Sequence, residues 1–394
     1  MTIIFTLSAV CAIGWLWALS RCMPSLQAWS EPQAEGVEPS PWPSVAMIVP
    51  ARNEEKELPR TLPTLLQQDY PELSITIIND RSEDRTGDLL AEAAEREPRL
   101  RILEGIDRPA GWVGKTWVLH QGVLATRSEW ILFVDADIRL SDDAVRIAVM
   151  EATRREVDLF SIVPNVECET FWQRTSCLAM ATALTVVFPL VEVNDPRKST
   201  AIAAGGFFLI RRRVHEALGS EEAVKGEIGE DLKRAQCLKL AGYRMHLAAS
   251  RRMASTHWYG TLADIWTGLR KNAYAGFEFN PWFFLSLSAI GLTVVWTPVI
   301  ALVAGLLGIG LGAPLAAATF ALGAVGWLFQ ALTAVPMIVH LGIPWWHAAL
   351  MPFAYTLYNL IAFTSAYDYH FGGGPRWKSR SFDPADFRAP SGRS

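Results

Sequence analysis

The sequence predicts an α/β domain with a mostly parallel sheet, with transmembrane helices on either side of it in the chain. Short apolar runs alternate with longer polar, helix-like segments between residues 45 and 163, the pattern of strand–helix–strand units. No Asp, Glu, Lys or Arg occurs from Trp282 to Phe363, a run far longer than the ~20 apolar residues that one membrane span needs. Polar residues gather just after the apolar runs, where open parallel sheets collect their ligands.

Taken in order, Ile3 to Leu19 is apolar, with no basic residue before it and no small-residue cleavage site after it. Residues 1–21 are therefore expected to anchor the chain rather than to be removed. Residues 22–43 are rich in Pro and contain Glu, as a linker would. Strands are predicted at Val45–Val49, Ser74–Asn79, Arg101–Leu103, Trp130–Val134 and Leu159–Val163. Helices are predicted at Glu54–Gln67, Arg85–Ala94, Lys115–Ala125 and Asp142–Arg154. CLAMATALTVVFPLV, residues 177–191, has no charge but is short for a span, and suits an interfacial helix that delivers a lipid. The long uncharged region divides at Gly/Pro-rich points into 282–308, 314–338 and 345–367, and a basic tail (RWKSR, 376–380) follows.

Composition excludes several classes. A formal net charge of −4 gives no reason to expect a nucleic-acid partner. Five scattered cysteines with no CxxC argue against a disulfide framework or a structural zinc site, and fit a reducing compartment. His215, His246 and His257 lack metal-ligand spacing and read as structural.

ILFVDADIRL, residues 131–140, places Asp135 and Asp137 at the exit of an apolar run. If the strand continues, both carboxylates point the same way and repel. A hard divalent cation, Mg or Mn, shared with substrate phosphates would relieve that repulsion. The plain alternative is a solvated strand end and a turn cap. GWVGKTW (111–117) invites a phosphate-loop reading through Gly114-Lys115-Thr116, but that pattern needs Gly at position 109, which is Pro. Lys115 at a helix start is still well placed to meet a phosphate. Glu230-Asp231 in GEDLKRA is either ordinary helix-start acidity, worth ~0.3–1 kcal/mol, or a base and its neighbour.

VPARNEE (49–55), INDRSEDRT (78–86), GWVGKTW, FVDADI (133–138), AGGFFLIRR (204–212) and GEDLKRA (229–235) follow one another in this order. With them the chain resembles the membrane-bound family 2 glycosyltransferases of the GT-A fold. Within that family it is most similar to hopene-associated glycosyltransferases, then to ceramide glucosyltransferase and carotenoid glycosyltransferases. The resemblance covers about 44–275, and implies a C-terminal transmembrane region at 276–370 and a tail at 371–394. It implies that Pro50, Ala51, Arg52 and Glu54 meet the uridine of a nucleotide sugar, that Asp80 accepts a hydrogen bond from the base or ribose, and that Lys115 meets a phosphate. It further implies Asp135 at the ribose or metal, Asp137 on the metal, Gly205 and Gly206 on the acceptor side, and Asp231 as the base supported by Glu230. A (Q/R)xxRW motif common in the family is missing. The corresponding DIWTGLRKNAYAGF (264–277) offers Arg270 and Lys271 to the diphosphate and Trp266 to the acceptor, or else all three as membrane-surface anchors.

The expected activity is inverting, metal-dependent transfer of one sugar, UDP-linked, to a membrane lipid such as a hopanoid, on the cytoplasmic side of a bacterial inner membrane. Arg21 and Arg270/Lys271 agree with that side by the positive-inside rule, whereas the tail at 376–380 would fall opposite if all three C-terminal segments span. The rivals are a processive polysaccharide synthase, disfavoured without RW, and a scaffold or transport subunit with a degenerate domain. Intact Asp80, Asp135, Asp137 and Asp231, and apolar segments free of ionisable transport residues, speak against the second.

Overall fold

A computed structural model describes residues 1–372 apart from 30, 35, 37, 228, 271, 272 and 278, together with the backbone of 376–377 and 380–381. The predicted donor contact Lys271 and most of the basic tail lie outside the described residues. The chain divides into two compact units: a sheet unit of Trp29–Val166 and Leu190–His257, with which the described 376–377 and 380–381 group, and an apolar unit of 1–28, 167–189 and, among the described residues, 258–372. The segments 167–189 and 258–275 thus group with the apolar helices rather than with the sheet.

The sheet unit is built on β1 (Val45–Ala51), β2 (Leu73–Asn79), β3 (Leu100–Glu104), β4 (Trp130–Val134), β6 (Leu159–Val163), β8 (Phe207–Arg211) and β9 (Met245–Ala249), in the order β3-β2-β1-β4-β8-β6-β9. β1 is parallel to both β2 and β4, in register Val45 with Leu73 and with Trp130. β4 and all of β1 except Pro50 are buried, as strands covered on both faces must be, which is why they read as unbroken apolar runs. β8 runs antiparallel to β4 and β6, so it begins beside the end of β4. β5 (Arg139–Leu140), β10 (Ala254–His257) and β7 (Asn165–Glu167) form a small second sheet.

The helices of this unit are α2 (Leu58–Leu66), α3 (Thr86–Ala94), α4 (Gly114–Leu124), α5 (Ala144–Arg154), the short α7 (Leu190–Asn194) and α8 (Arg212–Ala217), and α9 (Glu230–Leu240). α4 crosses β1 and β2 so closely that a Cβ on Gly122 would lie 2.5 Å from Ile48 Cγ2. Only glycine permits that approach. A single core joins β1, β2, β4 and the inner faces of α2 and α5 through Met47, Leu65, Ile75, Leu132 and Ile147.

The apolar unit comprises α1 (Thr2–Ala28), α6 (Phe171–Val187), α10 (Leu262–Arg270), α11 (Pro281–Gly310), α12 (Ala316–Thr333), α13 (Val335–Leu341) and α14 (Met351–Phe371). Three helical stretches among the described residues are long and apolar enough to cross a membrane: Thr2–Ala28, Pro281–Gly310 and Ala316–Leu341. The expected third C-terminal segment is helical but falls outside these three; Asn359, Thr364, Ser365 and Asp368 make α14 more polar. α6 begins where Thr170 and Gln173 form a reciprocal cap.

Candidate active site

β1 and β4 are neighbours, and the chain leaves them toward opposite edges of the sheet, so the crevice beyond their carboxyl ends is a topological switch point. The structure uses that crevice in two ways.

On one side, the loops after β1 and β2 are laced together. Asn53 N donates to Ser82 Oγ (3.0 Å), Glu54 N to Thr86 Oγ1 (2.7 Å), Glu55 N to Asp84 Oδ2 (3.1 Å), Glu83 N to Asn53 Oδ1 (2.8 Å) and Arg85 N to Glu55 Oε2 (3.2 Å). Asn53 and Arg81 sit at φ 50° and 53°, left-handed conformations that this network holds in place. Arg52 is buried and points inward: its Nη1 donates to the carbonyls of Asp80 (2.6 Å) and Arg81 (3.2 Å). Arg52 thereby braces the loop that carries Asp80. Asp80 is also buried, and its N donates to Ala51 O (2.8 Å). Few conformations remain open to Pro50, Ala51, Glu54 and Asp80.

On the other side, charges are concentrated rather than dispersed. Lys115, at the start of α4, lies 2.8 Å from Asp135 Oδ1 and 2.9 Å from Glu230 Oε1. Asp231 stands beside them at the start of α9, its Oδ1 accepting from Leu232 N (2.8 Å). Gly205 makes this packing possible, because a Cβ there would lie 2.9 Å from Asp231 Oδ2 and 3.4 Å from Lys115 Nζ. Pro50, Lys115, Asp135, Gly205, Glu230 and Asp231 line one small pocket together with Phe133, Phe208 and Arg234. Gly206 instead faces Ile138, whose Cδ1 a Cβ would meet at 2.8 Å.

Burial and then the neighbouring Glu230 push the Asp231 carboxyl up to about 6, with Lys115 acting in opposition. Burial disfavours the Lys115 charge, but the Asp135, Glu230 and Asp231 carboxylates outweigh it and hold the ammonium well above its usual range. Asp137 is pushed up to about 6 by the protein around it, then by Asp135 and Glu54. Its side chain keeps contact with solvent, which weakens the first cause, but two like charges nearby support the same direction.

The strand does not continue through Asp137. β4 ends at Val134, and the chain turns, with Ile138 N donating to Asp135 O (3.1 Å). The alternation expected for Asp135 and Asp137 is replaced by a turn that still leaves the two carboxylates in mutual repulsion. Lys115 pairs with Asp135, and the repulsion that Asp137 still meets from Asp135 and Glu54 fits a divalent cation. Among the described residues no group of three or more His, Cys, Asp or Glu is arranged to hold a metal ion, so substrate oxygens would have to complete the shell, as Mg-type ions prefer.

The remaining candidates lie in the apolar unit. Arg270 forms an ion pair with Asp368, and Trp266 packs in an aromatic cluster with Tyr274, Phe284 and Trp258. Residues without an assigned role in the sequence also emerge. Arg234 lies over the rings of Phe133 (5.5 Å) and Phe208 (5.9 Å) and is 3.2 Å from Glu221, which binds His215 at 2.8 Å. Arg234's place four residues after Glu230, on the same helix face, was the one available signal.

Comparison with known proteins agrees with this geometry. Residues 46–219 match the family model Glycosyl transferase family 2. The chain is 32% identical over 123 residues to a 4,4'-diaponeurosporenoate glycosyltransferase of Staphylococcus haemolyticus, covering 31% of this chain and 32% of that one. It is 29% identical over 191 residues to the enzyme of the same name from Staphylococcus aureus (strain bovine RF122 / ET3-1), covering 48% and 49%. The chain thus spans about a third to a half of the length of the curated relatives it matches. A mannosyltransferase from Pyrobaculum calidifontis, solved in complex with GDP-Man and Mn2+, superposes with a TM-score of 0.56 at 17% identity, covering 91% of this chain and 99% of that one, a likeness of fold. Residues 46–219 thus carry a glycosyl transferase family 2 domain, on a GT-A fold accompanied by membrane-type helices.

Proposed function

We propose that this protein moves one sugar from a nucleotide sugar, UDP-linked, to the hydroxyl of a membrane lipid such as a hopanoid, with inversion at the anomeric carbon. The observation that carries the proposal is Asp231: a carboxylate raised to about 6, lining a pocket beside a lysine and a glycine-cleared opening. Such a group is charged at neutral pH yet basic enough to accept a proton in the transition state.

The acceptor hydroxyl gives its proton to Asp231 as its oxygen bonds to the anomeric carbon. The bond from that carbon to the diphosphate breaks on the opposite face, and the electron pair leaves with the nucleoside diphosphate. Lys115 neutralises phosphate charge, and the 50–56 and 79–86 loops seat the nucleoside without having to be ordered first. A Mg or Mn ion on Asp137 and Asp135 would offset the charge of the leaving diphosphate. The relatives' name, which specifies 4,4'-diaponeurosporenoate, supports an apolar acceptor, and three membrane-type helices support its delivery from a bilayer. Arg21 at the end of the first apolar stretch supports a cytoplasmic site in the inner membrane.

The test is purified protein with a panel of UDP- and GDP-hexoses and vesicles containing neutral bacterial lipids, followed by mass spectrometry of the lipids. A new glycolipid is expected, dependent on Mg or Mn and lost in Asp137→Ala. Full turnover in EDTA removes the metal from the proposal, and nucleotide release without any glycolipid removes the lipid acceptor.

A further inference from the structure

Two helices bring the charged residues of the site together: α4 presents Lys115 and α9 presents Glu230 and Asp231. Both are tied to one short segment that the chemistry above does not use, the 3-10 turn Ser220–Val224 and the following Lys225. Toward α4, the carbonyl of Lys225 accepts from Val113 N (2.6 Å) and from Thr116 Oγ1 (3.0 Å), on either side of Lys115. Toward α9, Glu221 Oε1 lies 3.2 Å from Arg234 Nη2, one turn behind Glu230 and Asp231. The same oxygen lies 2.8 Å from His215 Nε2 on α8, and the Glu221 and His215 side chains are fully buried.

This cluster is a poor device for stability alone. Glu221 Oε2 and His215 Nδ1 have no hydrogen-bond partner among the described residues. Buried charges with unmet oxygens and nitrogens are costly, and an apolar core would hold the helices as well. What the cluster provides is direction: the Arg234 guanidinium lies between the Glu221 carboxylate and the rings of Phe133 and Phe208, which links α9 to the end of β4 through an ion pair and ring contacts rather than a hydrogen bond.

We propose that Glu221 is a positioning residue, and that the 220–225 segment sets the spacing between Lys115 and the Glu230/Asp231 pair through its two tethers. This rests on the transferase reading for its kinetic consequences, but not for its structural ones. Glu221→Gln keeps the shape and removes the charge that holds Arg234. It should lower kcat per UDP-binding molecule roughly 10- to 100-fold, as ångström-scale misplacement does. UDP affinity should stay within about three-fold, because the 50–56 and 79–86 loops are untouched. Thr116→Val weakens only the other tether, removing its side-chain hydrogen bond while the Val113 N–Lys225 O bond remains, leaves no buried charge, and should lower kcat in the same direction, by less, if Glu221→Gln does not fold.

Hydrogen exchange supplies the readout independent of activity. Both variants should exchange faster at 113–117 and 230–235 while the 79–86 loop stays protected. Wild-type protein that turns over no nucleotide sugar defeats the transferase reading, and the exchange pattern then decides the positioning role alone. Unchanged kcat per UDP-binding molecule in a folded variant of active protein, or unchanged exchange in both segments, overturns the inference.

Discussion

The two sides of the crevice are built on opposite principles. The loops after β1 and β2 are saturated: five cross-loop hydrogen bonds and an inward-facing Arg52 leave their backbone locked in conformations that would otherwise be strained. The β4–α9 side is unbalanced, with Lys115 alone among Asp135, Glu230 and Asp231, and with Asp137 repelled by Asp135 and Glu54. A surface that only has to bind gains from being preorganised, since ordering costs are then met at folding. A site that has to move a proton needs a carboxylate held away from its usual pKa, and that requires burial and like charges.

Asp231→Asn should break the unbalanced side most severely. Asn keeps size and hydrogen bonding but cannot accept the proton, so turnover should fall ~10²–10⁴-fold while UDP affinity is kept. Turnover within a few-fold of wild type would move the base to Glu230.

Lys115→Met should cost less, about 10- to 100-fold in kcat/KM, because it removes one charge–phosphate contact. It should also shift the pH profile. Wild-type activity should rise as pH climbs through about 6, where the Asp231 carboxyl ionises, and Lys115 lowers that value. Without the lysine the acid limb should move to higher pH; a limb that stays in place would show that Asp231 is not the group being titrated.

The saturated side should respond in binding rather than in chemistry. Asn53→Ala removes the acceptor for Glu83 N and puts alanine at φ 50°. A loss of about 1–2 kcal/mol, read as roughly 5- to 30-fold weaker UDP binding with kcat at saturation nearly intact, is expected. An equal loss in kcat would erase the distinction between the two sides.

The smallest effect separates electrostatic strain from helix-start stabilisation. The raised pKa of Asp231 means that the fold favours its protonated form. The associated stability is fully present below its unfolded value near 4 and is lost as pH rises through about 6. Asp231→Asn should therefore raise Tm by a few degrees at pH 7.5 and leave it unchanged near pH 4, on the order of 1 kcal/mol after solvent screening. A lower Tm at pH 7.5 would instead assign Asp231 a net favourable interaction with the helix dipole.

The sheet was largely legible because β1, β2, β4 and β6 are buried apolar runs bounded by polar residues, and all four lie within two residues of expectation. Helix α2 starts at Leu58 rather than Glu54 because residues 53–55 are drawn into hydrogen bonds with the neighbouring loop. FFLIR at 207–211 had the composition of a strand, but no local signal announced that it would enter the sheet antiparallel between β4 and β6. The site residues were legible as residue types; the inward turn of Arg52 and the place of Arg234 in the pocket lining were not.

Sequence alone determined the α/β alternation, the apolar stretches and the identity of the acidic and basic groups, since these are properties of neighbouring residues along the chain. Only the tertiary structure decided which of those groups meet. β8 enters antiparallel, so Gly205 arrives beside Asp231, and α4 crosses the sheet at Gly122 with Lys115 at its leading end. Low-dielectric burial beside like charges then pushes the Asp231 carboxyl up to about 6, a property that no single residue carries by itself.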